Sequence, residues 1–364
     1  MISVLTTSWS GGPHRAGFDE HGLVARWVAG AASAHDEVEV TVVSPQPVGE
    51  GRDGAFWLSH LPARQFSPVE ALVLARSLAA SRPGTPPAGV LEELAALAGC
   101  PSPAEVADPL ERRRPSAVVL AGWALMSLAE PLRRQLPRAR LVCLPMAPPV
   151  PELSVLAPAL PPDTRLLALT GRQADRLAGA QGLDVRTVGL PVSESPDSQG
   201  TSLALGVRDP VLVLVPSPPD ALARAAVSLL RRRHREPGLV LVSEGSLQVS
   251  GPTASQTHHF NPTRADLAHL MAGASVTVDL RRFGVLGCDA LESLRRGTPA
   301  VVPADSPARD VVEEADAGLW FSDPAELAAC VETLVEERTL SGALGDRGRR
   351  FATERWPAGP PTVL

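Results

Sequence analysis

The pattern of hydrophobic and polar positions divides the chain into alternating strands and helices. Short apolar runs rich in β-branched residues, such as ISVLT at residue 2, VEVTVVS at residue 38 and VLVLV at residue 211, are typical of buried strands. Longer segments with apolar residues at helical spacing follow them, for example LVARWVAGAAS and ALARAAVSLLRRRHR. This alternation predicts an α/β fold with parallel sheets.

A polar, turn-rich segment, SESPDSQGTS, interrupts the alternation and predicts a linker. The chain of 364 residues is long enough for two domains of ordinary size. We therefore predict an N-terminal domain over residues 1–195 and a C-terminal domain over residues 205–345. Residues 346–364 are expected to form a tail that either crosses back to the first domain or is frayed, and its end, PAGPPTVL, is too rich in proline for a helix.

Residues 263–302 are the segment on which the functional interpretation depends. Their sequence predicts a helix with Leu267, Leu270 and Met271 on one face, then a buried strand, a glycine-bearing turn (FGVLG) and a second helix that ends at Gly297. Glycines at a strand-to-helix turn let a ligand approach the backbone, and the helix start offers unpaired N–H groups to an anion. The turn is therefore a candidate phosphate site.

These motifs resemble those of GT-B glycosyltransferases of the family 4, or group 1, type. That family has a leucine-bearing helix, a strand, E-G-F-G, four further residues, E-A-M and finally G-x-P-V-V. This chain has Gly287 at the second motif glycine, Glu292 at the second glutamate and Gly297-Thr298-Pro299-Ala300-Val301 at the close. The first glutamate of the motif falls at Gly284, so that carboxylate is absent.

The resemblance implies the GT-B fold, in which two Rossmann-like, doubly wound parallel-sheet domains face a cleft. It implies that the first domain binds an acceptor and the second a nucleotide-sugar donor. The implied reaction is transfer of the sugar to a small-molecule or cell-envelope acceptor, with retention of configuration and without a metal. The nucleotide-sugar is then a co-substrate, no separate cofactor is expected, and a homo- or hetero-oligomer stays open.

The resemblance also assigns roles in the donor site. Glu292 would bind both ribose hydroxyls of the nucleotide. Backbone N–H groups of the glycine-bearing turn would face the phosphates, in a segment made of Gly284, Val285, Leu286 and Gly287. From the residue and its spacing alone, Glu292 is better explained as a solvent-facing helix carboxylate that pairs with Arg295 or Arg296, and the surrounding family pattern is what favours the ribose role.

The cation pair that holds the diphosphate in the family is missing at its expected place. This chain has Val215-Pro216-Ser217-Pro218-Pro219 there, with no cation until Arg224. Arg281 and Arg282, just before the glycine-bearing turn, are candidate substitutes. A diphosphate leaving group needs its developing charge stabilised, so the placement of these cations matters for the rate.

Two more segments resemble ligand-contacting loops of the family. Residues 16–21 resemble the loop after the first strand and place Gly17 and Asp19 at the carboxyl end of that strand, where α/β sheets bind ligands. An ordinary loop with an acidic residue near a helix start explains Asp19 as well. Glu244 stands where the family has a G-x-G near the base, and is a candidate base contact.

Other residues are weaker candidates. Phe56, Trp57 and His60 could line an acceptor pocket, but we expect them in the core. His258 and His259 are predicted in a loop, and no third ligand at metal spacing accompanies them.

Arg172, at a predicted helix start, is either a phosphate or acceptor contact or an ordinary exposed arginine. The four cysteines are far apart and imply neither a disulfide framework nor a metal site. Cys288 at a helix start is a candidate reactive thiol, but a small buried residue is the simpler interpretation.

Composition narrows the function classes. The chain is 44% hydrophobic and 20% charged, a soluble globular balance, and its net charge of −6 without a long basic block argues against nucleic acid as a ligand. It contains no lysine and no tyrosine, which is typical of a GC-rich genome and excludes a Schiff-base or Walker-type lysine. Because no signal peptide and no apolar run of about 18 residues is recognised, we expect a cytoplasmic protein without a transmembrane segment.

Two functions fit these observations. The first is an active glycosyltransferase, favoured by Glu292, the glycine-bearing turn and the loop with Gly17 and Asp19. The second is a catalytically silent, glycosyltransferase-like partner subunit or ligand-binding protein. It is favoured by the missing glutamate and cation pair, and by Ala121-Gly122-Trp123 where family members frequently carry a histidine. The resemblance places the enzyme ahead.

Overall fold

The protein is described as a computed structural model. It describes residues 1–6, 37–44, 51–53, 56–62, 102–122, 124–144, 160–168, 170–172, 174–175, 185–187, 210–216, 219–233, 238–243, 256–260, 264–281 and 287–355, together with helical positions 74, 77 and 80. These residues fall into two compact units, one holding those up to residue 187 and the other those from residue 210.

The first unit is built on an eight-stranded sheet in the order β3-β4-β2-β1-β5-β6-β7-β8. Its strands are β1 (Ile2–Thr6), β2 (Val38–Ser44), β3 (Gly51–Asp53), β4 (Phe56–Pro62), β5 (Ala117–Ala121), β6 (Arg140–Leu144), β7 (Arg165–Ala168) and β8 (Val185–Thr187). Neighbouring strands are parallel, except that β3 is antiparallel to β4. Because β1 lies between β2 and β5, the strand order reverses beside it, which makes the sheet doubly wound.

The helices of the first unit include α1 (Pro103–Arg113), a short 3₁₀ helix (Ala124–Leu128) and α2 (Ala129–Gln135). The sequence analysis did not predict α1. Its start is a capping box: Ser102 Oγ accepts from Glu105 N at 3.3 Å, and Glu105 Oε2 accepts from Ser102 N at 2.7 Å.

The second unit is built on a six-stranded sheet in the order β11-β10-β9-β12-β13-β14, and its neighbouring strands are parallel. Its strands are β9 (Val211–Val215), β10 (Leu239–Ser243), β11 (Gln256–Phe260), β12 (Val276–Asp279), β13 (Ala300–Pro303) and β14 (Gly318–Phe321). Counted within the unit, this order is 3-2-1-4-5-6, the Rossmann arrangement. The prediction of two doubly wound parallel-sheet domains is confirmed.

The helices of the second unit cover both faces of its sheet. They are α3 (Ala221–Arg233), α4 (Arg264–Gly273), α5 (Cys288–Arg295), α6 (Ala308–Ala315), α7 (Pro324–Glu336) and α8 (Arg338–Arg355). Alternate residues of β9 pack on opposite faces: Val213 joins the cluster that contains side chains of α3 and α7, and Leu212 joins the cluster that contains side chains of α4. Leu270 and Met271 of α4 are fully buried, as the helical spacing predicts.

Two predictions about individual residues were wrong. His258 and His259 lie in β11 rather than in a loop, because the backbone of this polar edge segment pairs in parallel with β10. Trp57, expected in the core, is 53% exposed, since alternation along β4 turns Leu58 inward and Trp57 outward. His60 is half-buried, and the side chain of Phe56 lies outside the described part of the chain.

Candidate functional site

The strand order of the second sheet reverses between β9 and β12. Asp279, the last residue of β12, pairs with Leu214 of β9, and Leu280 N donates to the Leu214 carbonyl at 3.0 Å. Open α/β sheets bind ligands at the carboxyl ends of the strands beside such a point. The helices that follow these two strands, α3 and α5, begin at this edge, so their starts are the places to look for a ligand.

The carboxylate of Asp220 caps the start of α3. Asp220 Oδ1 accepts a hydrogen bond from Ala223 N at 2.7 Å, which is the pattern of a helix N-cap. Arg224 is exposed, and its Nη1 donates to the Pro219 carbonyl at 2.5 Å. An anion approaching the start of α3 would meet the Asp220 carboxylate.

Within the described part of the chain, no side chain caps the start of α5. Gly287 is its N-cap residue and has a left-handed φ of 83°. A Cβ on Gly287 would lie 2.8 Å from Ala308 Cα and 2.9 Å from Val311 Cγ2 of α6. Glycine is therefore required at this position by the backbone conformation and by the packing of α6, whether or not a ligand also approaches.

Arg281 joins the end of β12 to the first turn of α5. Its Nε donates to Asp279 Oδ1 and its Nη2 to Asp279 Oδ2, both at 2.8 Å, and its Nη2 also donates to Asp289 Oδ2. The backbone N–H of Arg281 donates to Asp279 Oδ1 at 3.0 Å. All three side chains are largely buried, with exposures of 11% for Arg281, 1% for Asp279 and 8% for Asp289.

This arrangement gives Arg281 two carboxylate partners within its own chain. Burial alone would lower the pKa of its guanidinium, but the charges and hydrogen bonds of Asp279 and Asp289 raise the pKa well above its ordinary value. Two carboxylates and one guanidinium leave the cluster with a formal charge of −1. Arg281 is thus paired with carboxylates of its own chain, and the idea that it replaces the missing phosphate-binding cation stays a prediction.

Glu292 is buried on α5 and paired within the same helix. It is 6% exposed, and Arg296 Nη1 donates to its Oε2 at 3.0 Å. The side chain of Arg296 is also buried, at 7% exposure. Glu292 is therefore not solvent-facing, but its predicted pairing with Arg296 is confirmed. The ribose-binding role of Glu292 stays a prediction.

Hydroxyl groups fix α5 against the sheet. Ser293 Oγ lies 2.8 Å from Thr277 Oγ1 of β12 and 2.9 Å from the Thr298 carbonyl. Thr298 Oγ1 donates to the Met271 carbonyl of α4 at 2.6 Å. These buried contacts hold α5 in one position relative to β12 and α4, so the residues at its start have a rigid support.

The end of α5 is closed as the sequence predicts. Gly297 has a left-handed φ of 77°, and its N–H donates to the Leu294 carbonyl at 2.9 Å. Arg349 Nη2 of α8 donates to the Arg296 carbonyl at 3.1 Å. Gly345 of α8 packs so closely that a Cβ there would lie 2.1 Å from the Gly297 carbonyl oxygen.

Of the predicted site residues, the structure describes Gly287 and Glu292, which lie on the same helix. The others fall outside the described residues; they are Gly17, Asp19, Glu244, Arg282, Gly284, Val285 and Leu286. Asp279 and Asp289 were missed by the sequence analysis. An aspartate that ends an apolar strand was the available signal for Asp279.

Three further findings concern the weaker candidates. Arg172 is exposed at a helical position, next to the buried Thr170 whose carbonyl accepts from Ala174 N at 3.0 Å. Cys288 is 4% exposed, in agreement with a small buried residue. Among the described residues, no group of three or more His, Cys, Asp or Glu side chains could hold a metal ion, and no helix is long and apolar enough to span a membrane.

Residues 244–351 match the family model of glycosyl transferases group 1. No curated protein matches the chain. Among solved structures, sucrose-phosphate synthase from Thermosynechococcus elongatus is 15% identical with a TM-score of 0.62, and 98% of this chain aligns with 94% of that chain.

Two more solved structures are similar over nearly their whole length. The α,α-trehalose-phosphate synthase (UDP-forming) from Burkholderia xenovorans, in complex with glucose-6-phosphate, is 13% identical with a TM-score of 0.62, and the alignment covers 98% of this chain and 97% of that one. WaaG, a glycosyltransferase involved in lipopolysaccharide biosynthesis, is 14% identical with a TM-score of 0.60, and the coverage is 97% and 95%. These likenesses show that the fold is GT-B.

Proposed function

We propose that this chain, a GT-B protein of the group 1 glycosyltransferase family, transfers a sugar from a nucleotide-activated donor to a small-molecule or cell-envelope acceptor. The reaction we propose retains the configuration of the sugar and uses no metal. The second of these features is supported by the sequence, which has no Asp-x-Asp motif.

The observation that carries the proposal is the contrast between the two helix starts at the reversal point of the second sheet. The start of α3 is capped by Asp220, whereas no side chain of the described residues caps α5, which begins at Gly287. The first N–H groups of a helix and its dipole favour an anion. The start of α5 is therefore the better place for the diphosphate of the donor.

Glu292 supports the same placement. It lies one helical turn, about 6 Å, beyond the start of α5, so a nucleotide whose phosphates lie at Gly287 can bring its ribose within reach of Glu292. Arg296 holds the Glu292 carboxylate in one position at the side of the helix. We propose that this carboxylate accepts hydrogen bonds from the ribose hydroxyls.

The similar structures are consistent with such chemistry but do not select a substrate. One of them is a UDP-forming synthase bound to glucose-6-phosphate, and another is a sucrose-phosphate synthase. A second structure of the trehalose-phosphate group holds UDP-2-fluoro glucose. Their names motivate testing uridine nucleotides first and sugar phosphates as candidate acceptors.

The proposal is tested by measuring melting temperature with UDP, GDP, ADP and dTDP. A ligand that binds only the native state stabilises it by about 2.7 kcal/mol at 100 times its dissociation constant, so one nucleotide should raise the melting temperature clearly. Glu292→Ala should lose that increase. If none of the four nucleotides shifts the melting temperature, the catalytically silent partner subunit becomes the better interpretation.

A further inference from the structure

We propose that Arg281 is a positioning residue of the donor site, which holds the end of β12 and the start of α5 at a fixed distance from each other. This inference rests on the proposed function, because it concerns the same helix start. Neither the family motif nor the resemblance assigns a role to this arginine or to its partners, Asp279 and Asp289.

The geometry of the contacts shows what Arg281 fixes. Its guanidinium makes two hydrogen bonds to Asp279, at the end of a strand that is paired with β9. The same Nη2 reaches Asp289, in the first turn of α5. Residues 280–288 connect these two anchors, so a single planar group contacts both ends of this connection.

The charges of the cluster point to the same role. Asp289 lies in the first turn of α5, where the helix dipole favours a negative charge, so its carboxylate competes with a phosphate for that position. Arg281 turns this carboxylate toward itself and offsets its charge. Without Arg281, Asp279 and Asp289 would lose this cation beside the proposed phosphate site.

Stability alone does not explain the cluster. Three charged side chains with exposures of 11%, 1% and 8% lose much of their hydration, and buried ion pairs are often no more stable than apolar side chains of similar size. The three side chains lie at the reversal point of the sheet, where α/β proteins bind ligands, and a role in ligand binding would explain why these charges are buried there. Arg281 acts there through the helix start and not through contact with the reacting atoms.

The test is isothermal titration calorimetry of the full-length protein with the nucleotide that shifts its melting temperature. Arg281→Lys keeps the charge but cannot bridge both carboxylates, since an ammonium lacks the planar fork of a guanidinium. We expect its dissociation constant to rise at least about tenfold with an unchanged stoichiometry. Arg281→Gln, which also removes the charge, should weaken binding further.

The stoichiometry separates positioning from folding. A residue that only stabilises the fold would lower the fraction of binding-competent protein and leave the dissociation constant unchanged, and this result would overturn the inference. Arg309→Lys is the matched control, because Arg309 also pairs with a helix carboxylate, Glu313, but on α6, and its variant should bind as the wild type does.

Two further outcomes remain distinguishable. Should Arg281→Lys fail to fold, Asp289→Asn is the substitute variant, because it removes the charge of one of the two carboxylates that Arg281 contacts. An unchanged dissociation constant in that variant would overturn the inference. If the wild type binds no nucleotide, the proposed function fails and the positioning role fails with it. If the wild type binds and Arg281→Lys binds equally well, only the positioning role fails.

Discussion

Arg296 and Glu292 form a buried ion pair one turn apart on α5, with Arg296 Nη1 3.0 Å from Glu292 Oε2. The carboxylate that the family motif assigns to the ribose is thus already in contact with a cation of its own helix. Such a pair can have two roles: it can stabilise the buried surface of α5, or it can hold the carboxylate ready for hydroxyl donors. The two roles predict different results for the same variant.

Glu292→Gln tests the ribose role with a side chain of nearly the same shape. A hydrogen bond to a charged acceptor is stronger than one to a neutral acceptor, so the loss of the charge should raise the nucleotide dissociation constant about tenfold. Calorimetric titration measures this value. A variant that melts at a lower temperature but binds the nucleotide with wild-type affinity would show that Glu292 stabilises the fold and does not bind the ribose.

The sequence predicts the fold well because the interior strands carry their own signal. β1, β9 and β12 are short runs rich in β-branched residues. β11 was missed because its polar sequence has no such pattern, and its strand conformation depends on backbone pairing with β10. The helix α1 was missed although Ser102 and Glu105 form a recognisable capping box.

The candidate site was predictable only in part. Gly287 and Glu292 were found because a motif spacing identifies them without reference to three-dimensional contacts. The pairing of Arg281 with Asp279 and Asp289 was not found. Asp279 lies two positions before Arg281 and Asp289 eight positions after it, and only the three-dimensional structure shows that both carboxylates contact one guanidinium. A sequence pattern shows which charges are present, but not which of them neutralise each other.

Gly287→Ala should destabilise the second unit. The backbone at this position has a left-handed φ of 83°, which alanine disfavours, and the added Cβ would lie 2.8 Å from Ala308 Cα. Backbone strain and overpacking together should lower the free energy of unfolding by about 2–4 kcal/mol. Urea unfolding followed by circular dichroism measures the change, and a loss below about 0.5 kcal/mol would contradict the packing of α5 against α6 described above.

Gly345 and Gly342 form a matched pair of positions on α8. A Cβ at Gly345 would lie 2.1 Å from the Gly297 carbonyl oxygen, whereas a Cβ at Gly342 has no atom within 4 Å. Gly345→Ala should therefore lower the free energy of unfolding by about 1–3 kcal/mol. Gly342→Ala should raise it by about 0.5–1 kcal/mol, because alanine is the better helix former. Equal urea midpoints for the two variants would show that α8 does not pack closely against the end of α5 at Gly345.

The burial of Cys143 predicts how the free energy of unfolding changes with pH in the alkaline range. Burial in β6 raises the pKa of its thiol from 9.0 to about 12. The unfolded chain therefore releases this proton near pH 9, while the native protein retains it until about pH 12. Between these values the unfolded state binds fewer protons, so the free energy of unfolding should fall as pH rises, by at most about 1.4 kcal/mol per pH unit.

The composition makes this effect unusually easy to isolate. The chain has no tyrosine and no lysine, so cysteine is the side chain that titrates between pH 9 and 12. Urea unfolding at intervals from pH 8 to 11 should show the decline in the wild type and a shallower one in Cys143→Ala. Cys330→Ala is the control, because Cys330 is only half-buried; burial and the nearby Glu326 also raise the pKa of its thiol. A decline of the same slope in the wild type and in Cys143→Ala would mean that the Cys143 thiol is not protected from solvent.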